Sequence, residues 1–235
     1  MNWTAIVLSI KLASLVSVLL LLIALPIAYW ITFSHRRWKF LVEAIVAMPL
    51  VLPPTVLGFY ILVAISPRSP LGRLYEQVTG SRLAFSFSGL VVASLLYSLP
   101  FAVQPIASAF DLVDRNLLQA AAVLGASRMR RFRTILLPLA KSGVLTAVVL
   151  SFAHTLGEFG IVLMVGGNIP GVTQTVSIAI YDGVQALNYT AAAHTSLLLL
   201  IFSFLVLSLV YALNRRIFVP WPVRQSAALA SRWSA

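Results

Sequence analysis

Glu158 is the acid whose position most suggests a function. It lies deep in a long apolar stretch, with Gly157 and Gly160 close by. Burying an ionised carboxylate in hydrocarbon is costly, so we expect this side chain to be protonated, paired with a Lys or Arg, or facing water. A carboxylate repels anions and is a poor direct ligand for one. We favour a structural role that fixes the local backbone, with a pH- or substrate-linked role as the alternative. His154 lies one helical turn earlier, and we expect it to pack, although a hydrogen bond to Glu158 is open.

A second feature is the pair Pro53 and Pro54 near the middle of another apolar stretch. Proline lacks the backbone N–H and clashes with the preceding turn, so a helix here must bend or break. Broken backbone at membrane depth is tolerated only where protein packs around it or where it lines a water-filled cavity. We therefore predict that residues 49–58 line a pathway or its gate, with a plain kink as the alternative; Pro100 and Pro105 make a weaker case of the same kind. The predicted pathway residues are Pro49, Pro53, Pro54, Thr55, Gly58, Pro100, Gly157, Glu158 and Gly160.

Several kinds of active site are excluded by residue types and spacing. The chain has no cysteine, which rules out disulfides and thiolate chemistry, and its three histidines show no metal-ligand spacing. It has no P-loop, no paired carboxylates and no nucleophile elbow, so nothing indicates an enzyme or ATP hydrolysis by that route. One deep acid is too little for the relay of an ion-coupled carrier, which favours energy supplied by a separate chain. We expect no catalytic residue, metal or cofactor in this chain.

The elements that must position these residues are long apolar helices. Of the 235 residues, 60% are hydrophobic and only 10% are charged, whereas about a quarter of a soluble domain is charged. A helix needs about 20 apolar residues to cross the hydrocarbon. Five stretches qualify, at about 8–33, 42–65, 87–109, 136–164 and 191–213, and the fourth is long enough to be tilted or broken. We predict one all-α membrane domain over residues 1–235, a bundle of about five transmembrane helices.

The net charge of +11 is spread over short runs between these stretches. Nucleic-acid-binding proteins instead cluster basic residues on a polar face, so membrane lipid is the expected partner and nucleic acid is not. Twelve Lys and Arg lie in the first connection, the third connection and the tail, against three on the other side. The positive-inside rule then predicts the N-terminus outside the cell and the C-terminus in the cytoplasm.

The third connection, residues 111–135, would then lie on the cytoplasmic side as two short helices that meet at Gly125. Asp111 and Asp114 suit a helix N-terminus, apolar residues follow at helical spacing, and glycine is a common helix stop. A second helix is predicted at about 127–135. Small side chains at residues 120–122 allow another backbone to come close, so the loop could seat in a groove of a partner protein. The alternative is that alanine is simply the best helix former and the arginines only set topology.

The spacing of seven residues in and after this loop resembles the cytoplasmic "EAA" signature of ABC-importer permeases. They are Gln119, Ala120, Ala121, Gly125, Ile135, Leu137 and Pro138. In that family the loop forms the coupling helix that docks into the ATP-binding subunit. Gln119 departs from the family, which usually has glutamate there, so a salt bridge from this position is in doubt.

Further segments at 47–58, 98–101, 155–160 and 168–171 are similar to those of molybdate permeases. Sulfate and tungstate permeases share parts of them, and the length and the run Pro-Leu-Val-Leu-Pro-Pro favour the molybdate branch. The resemblance implies a type I importer permease fold and a homodimer in a bacterial or archaeal plasma membrane. It also implies cytoplasmic ATPase subunits that use ATP and Mg²⁺, and an extracytoplasmic molybdate-binding protein, for which residues 173–187 are the candidate docking surface.

Two alternatives stay open. Within the same class, the substrate could be sulfate, thiosulfate or tungstate. From another class, the chain could be an ion-coupled secondary transporter.

Overall fold

The computed structural model describes residues 2–215, and every regular element in that part of the chain is a helix. The elements are α1 (Trp3–Phe33), α2 (Lys39–Val51), α3 (Pro54–Ile65), α4 (Pro70–Thr79), α5 (Phe87–Asp111), α6 (Arg115–Val123), α7 (Arg128–Arg131), a π-helical turn (Phe132–Leu136), α8 (Leu137–Leu139), α9 (Lys141–Gly157), α10 (Gly160–Gly166), α11 (Val176–Gln185) and α12 (Tyr189–Arg215). The C-terminus that we predict to be cytoplasmic, with Arg216, Arg224 and Arg232, lies outside the described residues.

Three helices of the described part are each long and apolar enough to cross a membrane alone: Trp3–Phe33, Phe87–Asp111 and Tyr189–Ser208. The predicted stretches 8–33 and 87–109 fall inside α1 and α5, and 191–213 falls inside α12. The other two predicted spans are interrupted. Counting each bent helix pair as one span gives up to five crossings.

The stretch predicted as one span at 42–65 folds as two helices, α2 and α3, with a bend of 114° between them. At 1.5 Å per residue the arms are about 20 Å and 18 Å long, short of the roughly 30 Å of hydrocarbon. Pro53 has extended backbone (φ −55°, ψ 135°), and Pro54 is the first residue of α3. Proline at that position sacrifices no hydrogen bond, because the first N–H groups of a helix have no acceptor within the helix. The prolines therefore end one helix and begin the next.

The fourth predicted span, 136–164, is also interrupted. A bend of 72° at Ala140 separates Arg128–Leu139 from Lys141–Gly157. A second break at Glu158 and Phe159 separates α9 from α10. The predicted helix at 127–135 is α7 followed by the π-helical turn.

The centre of the bundle is formed by α1, α5 and α9, which pack through small residues. Ser9, Ala13, Ser17, Ala24 and Ala28 are buried along one side of α1. Gly143 of α9 lies so close to α5 that a β-carbon there would be 2.6 Å from the Pro105 carbonyl oxygen. Small residues at such contacts let helix backbones approach closely, which is how helices associate in lipid.

The two ends of α1 contact different loops. Near its N-terminus Ser9 Oγ accepts a hydrogen bond from the Val176 N–H of α11, at 2.8 Å. Near its C-terminus the Tyr29 ring meets Phe132 edge-on, with centroids 5.7 Å apart. Because α1 has 31 residues, about 45 Å of helix, these loops lie at opposite ends of the bundle.

Candidate coupling loop and membrane pathway

Residues 111–138 form a sharp helical elbow, which we call the elbow from here on. Asp114 caps the start of α6 by accepting from the Asn116 N–H at 2.8 Å. The chain reverses at Gly125, whose φ of +80° is a left-handed conformation that favours glycine. The N–H groups of Gly125 and Ala126 donate to the carbonyls of Ala122 and Ala121, which closes the end of α6.

The tip of the elbow carries bare apolar side chains. Val123 and Leu124 are 88% and 86% exposed, and no residue of α6 is buried. Gln119 and Ala120 are exposed, and Ala121 is partly exposed. The tip thus presents an exposed apolar surface, of the kind found at contacts with other proteins or with membranes.

The base of the elbow is fixed to the bundle. Arg131 donates from Nη1 to the Leu118 carbonyl at 3.2 Å, which ties α7 to α6. Phe132 packs against Tyr29 of α1 and against Phe110 of α5, with ring centroids 5.7 Å and 6.2 Å apart. Leu136 is buried in the core. Phe132 therefore connects the elbow to both α1 and α5.

The signature residues after the turn lie along this base. Ile135 belongs to the π-helical turn and Leu137 begins α8, and both are partly buried. Pro138, the second residue of α8, is exposed.

The two predicted gate segments contact each other through α3 and α10. A β-carbon on Gly160 would lie 2.9 Å from Pro54 Cβ, and one on Gly58 would lie 2.9 Å from Met164 Cβ. The helix break at Pro53 therefore packs against the helix break after Glu158. Pro49 is buried, whereas Pro53 and Thr55 are exposed.

Pro100 lies in a helix that is not broken. The helix α5 runs unbroken from Phe87 to Asp111 through both Pro100 and Pro105. Pro100 is buried in the bundle, so neighbouring helices hold the segment straight enough to stay one helix. No break supports a gate at Pro100, and its role in the pathway stays a prediction.

Glu158 is buried at the break, with 4% of its surface exposed. Its Oε2 accepts a hydrogen bond from Ser94 Oγ at 2.6 Å, and Oε1 has no partner among residues 2–215. Both ion pairs in that part of the chain involve other acids, Glu43 and Glu76. Among the described residues, Glu158 is therefore not paired with a Lys or Arg, and its partner is a serine.

His154 packs, as expected, and does not bond to Glu158. Its ring stacks on Phe101 with centroids 3.9 Å apart, and its Nδ1 lies 2.9 Å from Ser98 Oγ. Ser98 also lies 3.0 Å from the Thr155 hydroxyl.

A buried set of hydroxyls between α5 and α9 is the part of the site that sequence reasoning missed. Its members are Ser94, Ser98, Ser151 and Thr155. On each helix the two residues are four apart, which places them on one face. That spacing in apolar segments was the available signal. Together with Glu158 these groups form a polar seam in an apolar bundle.

The outer-loop segment is held by a network of amide and carboxylate groups. Gln174 Nε2 donates to Asn168 Oδ1 and Asp182 Oδ2, both at 2.9 Å, and its Oε1 accepts from Asn2 Nδ2 at 2.8 Å. Asn168 also donates to Asp182. The region predicted as a short helix at 173–187 contains α11, joined by this network to the start of α1.

No three His, Asp or Glu side chains within residues 2–215 are placed to hold a metal ion.

The elbow, both helix breaks and the outer loop all lie in a segment that a known family matches. The family described as "Binding-protein-dependent transport system inner membrane component" matches residues 5–219. This chain belongs to that family. Membership and the apolar helices make it a multi-pass inner-membrane permease.

Two relatives in this permease family carry a substrate in their names. The molybdenum transport system permease protein ModB of Azotobacter vinelandii is 49% identical over 211 residues, which cover 90% of this chain and 93% of that protein. ModB of Escherichia coli K12 is 40% identical over 185 residues, covering 78% and 80%.

The fold is that of ABC-importer permeases of type I. The inward-facing structure of the MetNI methionine ABC transporter superimposes with a TM-score of 0.71 at 17% identity, over 93% of this chain and 96% of that chain. At this identity the likeness concerns the fold alone.

Proposed function

We propose that this chain is the membrane-spanning subunit of an ATP-driven importer for molybdate. The similarity to ModB of Azotobacter vinelandii over nine-tenths of the chain carries the proposal. The chain itself is a translocation subunit, and ATP with Mg²⁺ is used by separate ATPase subunits. A homodimer encloses the pathway, since one bundle of this size has little room to do so. An extracytoplasmic protein delivers molybdate to the outer face.

The elbow is the site where we place the ATPase subunits. Its exposed apolar tip suits a groove in another protein, and its base contacts both α1 and α5 through Phe132. The excess of Lys and Arg on this side supports a cytoplasmic position for it. The outer-loop network around Gln174 lies at the other end of α1 and suits the delivery protein.

The moving parts that we propose for the gate are the two helix breaks. Closure of the ATPase dimer would displace the elbow, and the displacement reaches α9 and α10 through the bundle. Because Pro54 and Gly160 are in contact, α3 and α10 move together.

Reconstitution tests this function. The chain, its ATPase and the binding protein are placed in liposomes, and uptake of radiolabelled molybdate is followed with ATP or a non-hydrolysable analogue. We expect accumulation only with ATP and with the binding protein, and competition by tungstate that exceeds competition by sulfate. Accumulation in ATP-free vesicles under an imposed ion gradient would instead support a secondary carrier. Preferential uptake of sulfate or thiosulfate would reassign the substrate.

A further inference from the structure

A basic cavity of about 290 Å³ lies between the C-terminal end of α1 and the elbow. Arg115, Arg128 and Arg131 line it from the elbow, His35 lines it from the connection after α1, and Tyr29 forms part of its α1 side. No Asp or Glu is among its lining residues. Three guanidinium groups with no lining acid make this a site for an anion.

These arginines have no acidic partner within the described chain. Both ion pairs formed by residues 2–215 involve other basic residues, Lys39 and Arg82. Arg131 is held in place by its bond to the Leu118 carbonyl, and its Nε is buried without any hydrogen-bond partner in that range. Arg115 is placed over the Phe33 ring at 5.9 Å. Arg131 therefore lines the cavity with its guanidinium fixed by the bond to the Leu118 carbonyl.

An apolar groove adjoins the same cavity. Its volume is about 500 Å³, and it shares Tyr29, Arg128 and Phe132 with the basic cavity. Its other lining residues are Leu25, Pro26, Trp30 and Met129. A further space of about 300 Å³ continues past Pro26 and Trp30 to Trp38 and Val42.

The groove runs from the basic cavity toward the membrane interior. Leu25 precedes Phe33 of the basic cavity by two turns of α1, about 12 Å along the helix. Trp30 and Trp38 lie beside it in a tilted ring contact with centroids 5.0 Å apart, and tryptophan is enriched at the edge of a bilayer. A basic head site with an apolar tail site beside it matches one molecule that has both parts.

We propose that the cavity and groove bind one anionic phospholipid of the inner leaflet, its phosphate among the three arginines and an acyl chain along Leu25 and Trp30. A free oxyanion could occupy the basic cavity but has no apolar part to fill the groove. An acidic side chain of a soluble subunit would pair with the arginines but would leave the apolar groove empty. The proposal goes beyond import and rests on the proposed function only for the cytoplasmic position of the elbow. The bound lipid would contact both α1 and α7 and so connect the two helices.

A photoactivatable phosphatidylglycerol with a diazirine on its acyl chain tests the site. The full-length chain is purified with the subunits that remain bound, mixed with the probe, irradiated and digested, and the labelled peptides are identified by mass spectrometry. We expect label on peptides around Leu25 and Met129. Label confined to other lipid-facing segments overturns the proposal.

Binding is measured on the same preparation by native mass spectrometry with phosphatidylglycerol and phosphatidylcholine. The double variant Arg115→Gln with Arg128→Gln should bind phosphatidylglycerol about twentyfold more weakly, because each basic side chain near a lipid surface contributes about a factor of five. The matched control is Arg130→Gln with Arg133→Gln, exposed arginines of the same elbow that do not line the cavity, and it should bind as the parent does.

Three outcomes contradict the proposal. The first is an equal loss of phosphatidylglycerol binding in both double variants, and the second is binding of phosphatidylcholine as strong as that of phosphatidylglycerol. The third is displacement of the lipid by millimolar inorganic phosphate or molybdate, which would identify a free-anion site. Melting temperatures of both double variants should stay close to that of the parent, so that a binding loss is not a folding loss. Since the readout is lipid binding and not uptake, failure here leaves the import function standing.

Discussion

At the scale of single residues, Glu158 shows how one acid is held in an apolar bundle without a cation. Ser94 Oγ donates to one carboxyl oxygen at 2.6 Å, and the other oxygen has no partner among residues 2–215. A buried polar group without any hydrogen bond costs roughly 1–3 kcal/mol. The single serine is therefore the contact on which this carboxyl depends.

Ser94→Ala should lower the stability of the purified protein by about 1–3 kcal/mol, because the buried carboxyl then loses its hydrogen-bond donor. Thermal unfolding followed by size-exclusion chromatography measures the change. Ser108→Ala, at an exposed serine of the same helix, is the matched control and should unfold near the parent temperature. If both variants unfold together, Ser94 does not support the carboxyl.

Sequence alone singles out Glu158 because a charge in an apolar stretch is rare. It does not identify Ser94, which is 64 residues away and belongs to a residue type that is unremarkable in membrane helices. Which serine meets the acid depends on how α5 and α9 pack, and hydropathy carries no information on that. For the same reason, the sequence does not show that α5 stays one helix through Pro100.

At the scale of elements, the helix break at Pro53 packs against the helix break after Glu158. The pair Pro53 and Pro54 predicts a bend, but proline chemistry does not set its size or direction. The 114° angle is accompanied by contact of α3 with α10, where Gly160 leaves room for Pro54. A close backbone approach of this kind depends on the missing side chain.

Gly160→Ala should destabilise the bundle by about 1–3 kcal/mol, since the added methyl would lie 2.9 Å from Pro54 Cβ and force α3 away. Gly157→Ala is the natural comparison, because a β-carbon there meets no atom within 4 Å. Unfolding midpoints of the two variants should therefore separate clearly. Equal midpoints would mean that α3 moves aside without cost.

Gly125→Arg should prevent the ATPase subunits from binding while the chain still inserts in the membrane. The turn has φ of +80° and open space around it, so the substitution strains the turn and changes the tip without a clash in the bundle. Co-purification of the ATPase with a tagged chain measures this.

Gly80→Arg is the control for that strain. Gly80 also has positive φ, at +69°, and open space, but it ends α4 in a different connection. It should keep the ATPase bound. Normal molybdate uptake by the Gly125→Arg variant would remove the case for the elbow as the coupling site.

At the scale of the whole molecule, the helical bundle and most helix positions follow from apolar length alone. Long unbroken stretches such as 8–33 and 87–109 leave no alternative to helices in lipid, where every backbone group must be hydrogen-bonded within its own segment. The broken segments are different, because two short helices and one long helix have the same hydropathy. Sidedness is a matter of charge and calls for a direct measurement.

The chain has no cysteine, so single cysteines report sidedness without background. Val123→Cys at the elbow tip should be protected in intact cells from a membrane-impermeant maleimide and should react after the membrane is opened. Gln77→Cys, an exposed position of α4, should react from outside. The reverse pattern would invert the topology and place the elbow away from any cytoplasmic ATPase.

The exposed tip formed by Val123 and Leu124 also has a consequence for the turnover of the protein in the cell. A copy made in excess of its ATPase would present two almost fully solvated aliphatic side chains to chaperones and proteases, whereas an assembled copy would hide them. Turnover would then favour complete transporters, and the number of permease copies would follow the supply of ATPase. Pulse-chase half-lives should shorten when the ATPase is not made and lengthen when Leu124 is replaced by Ser.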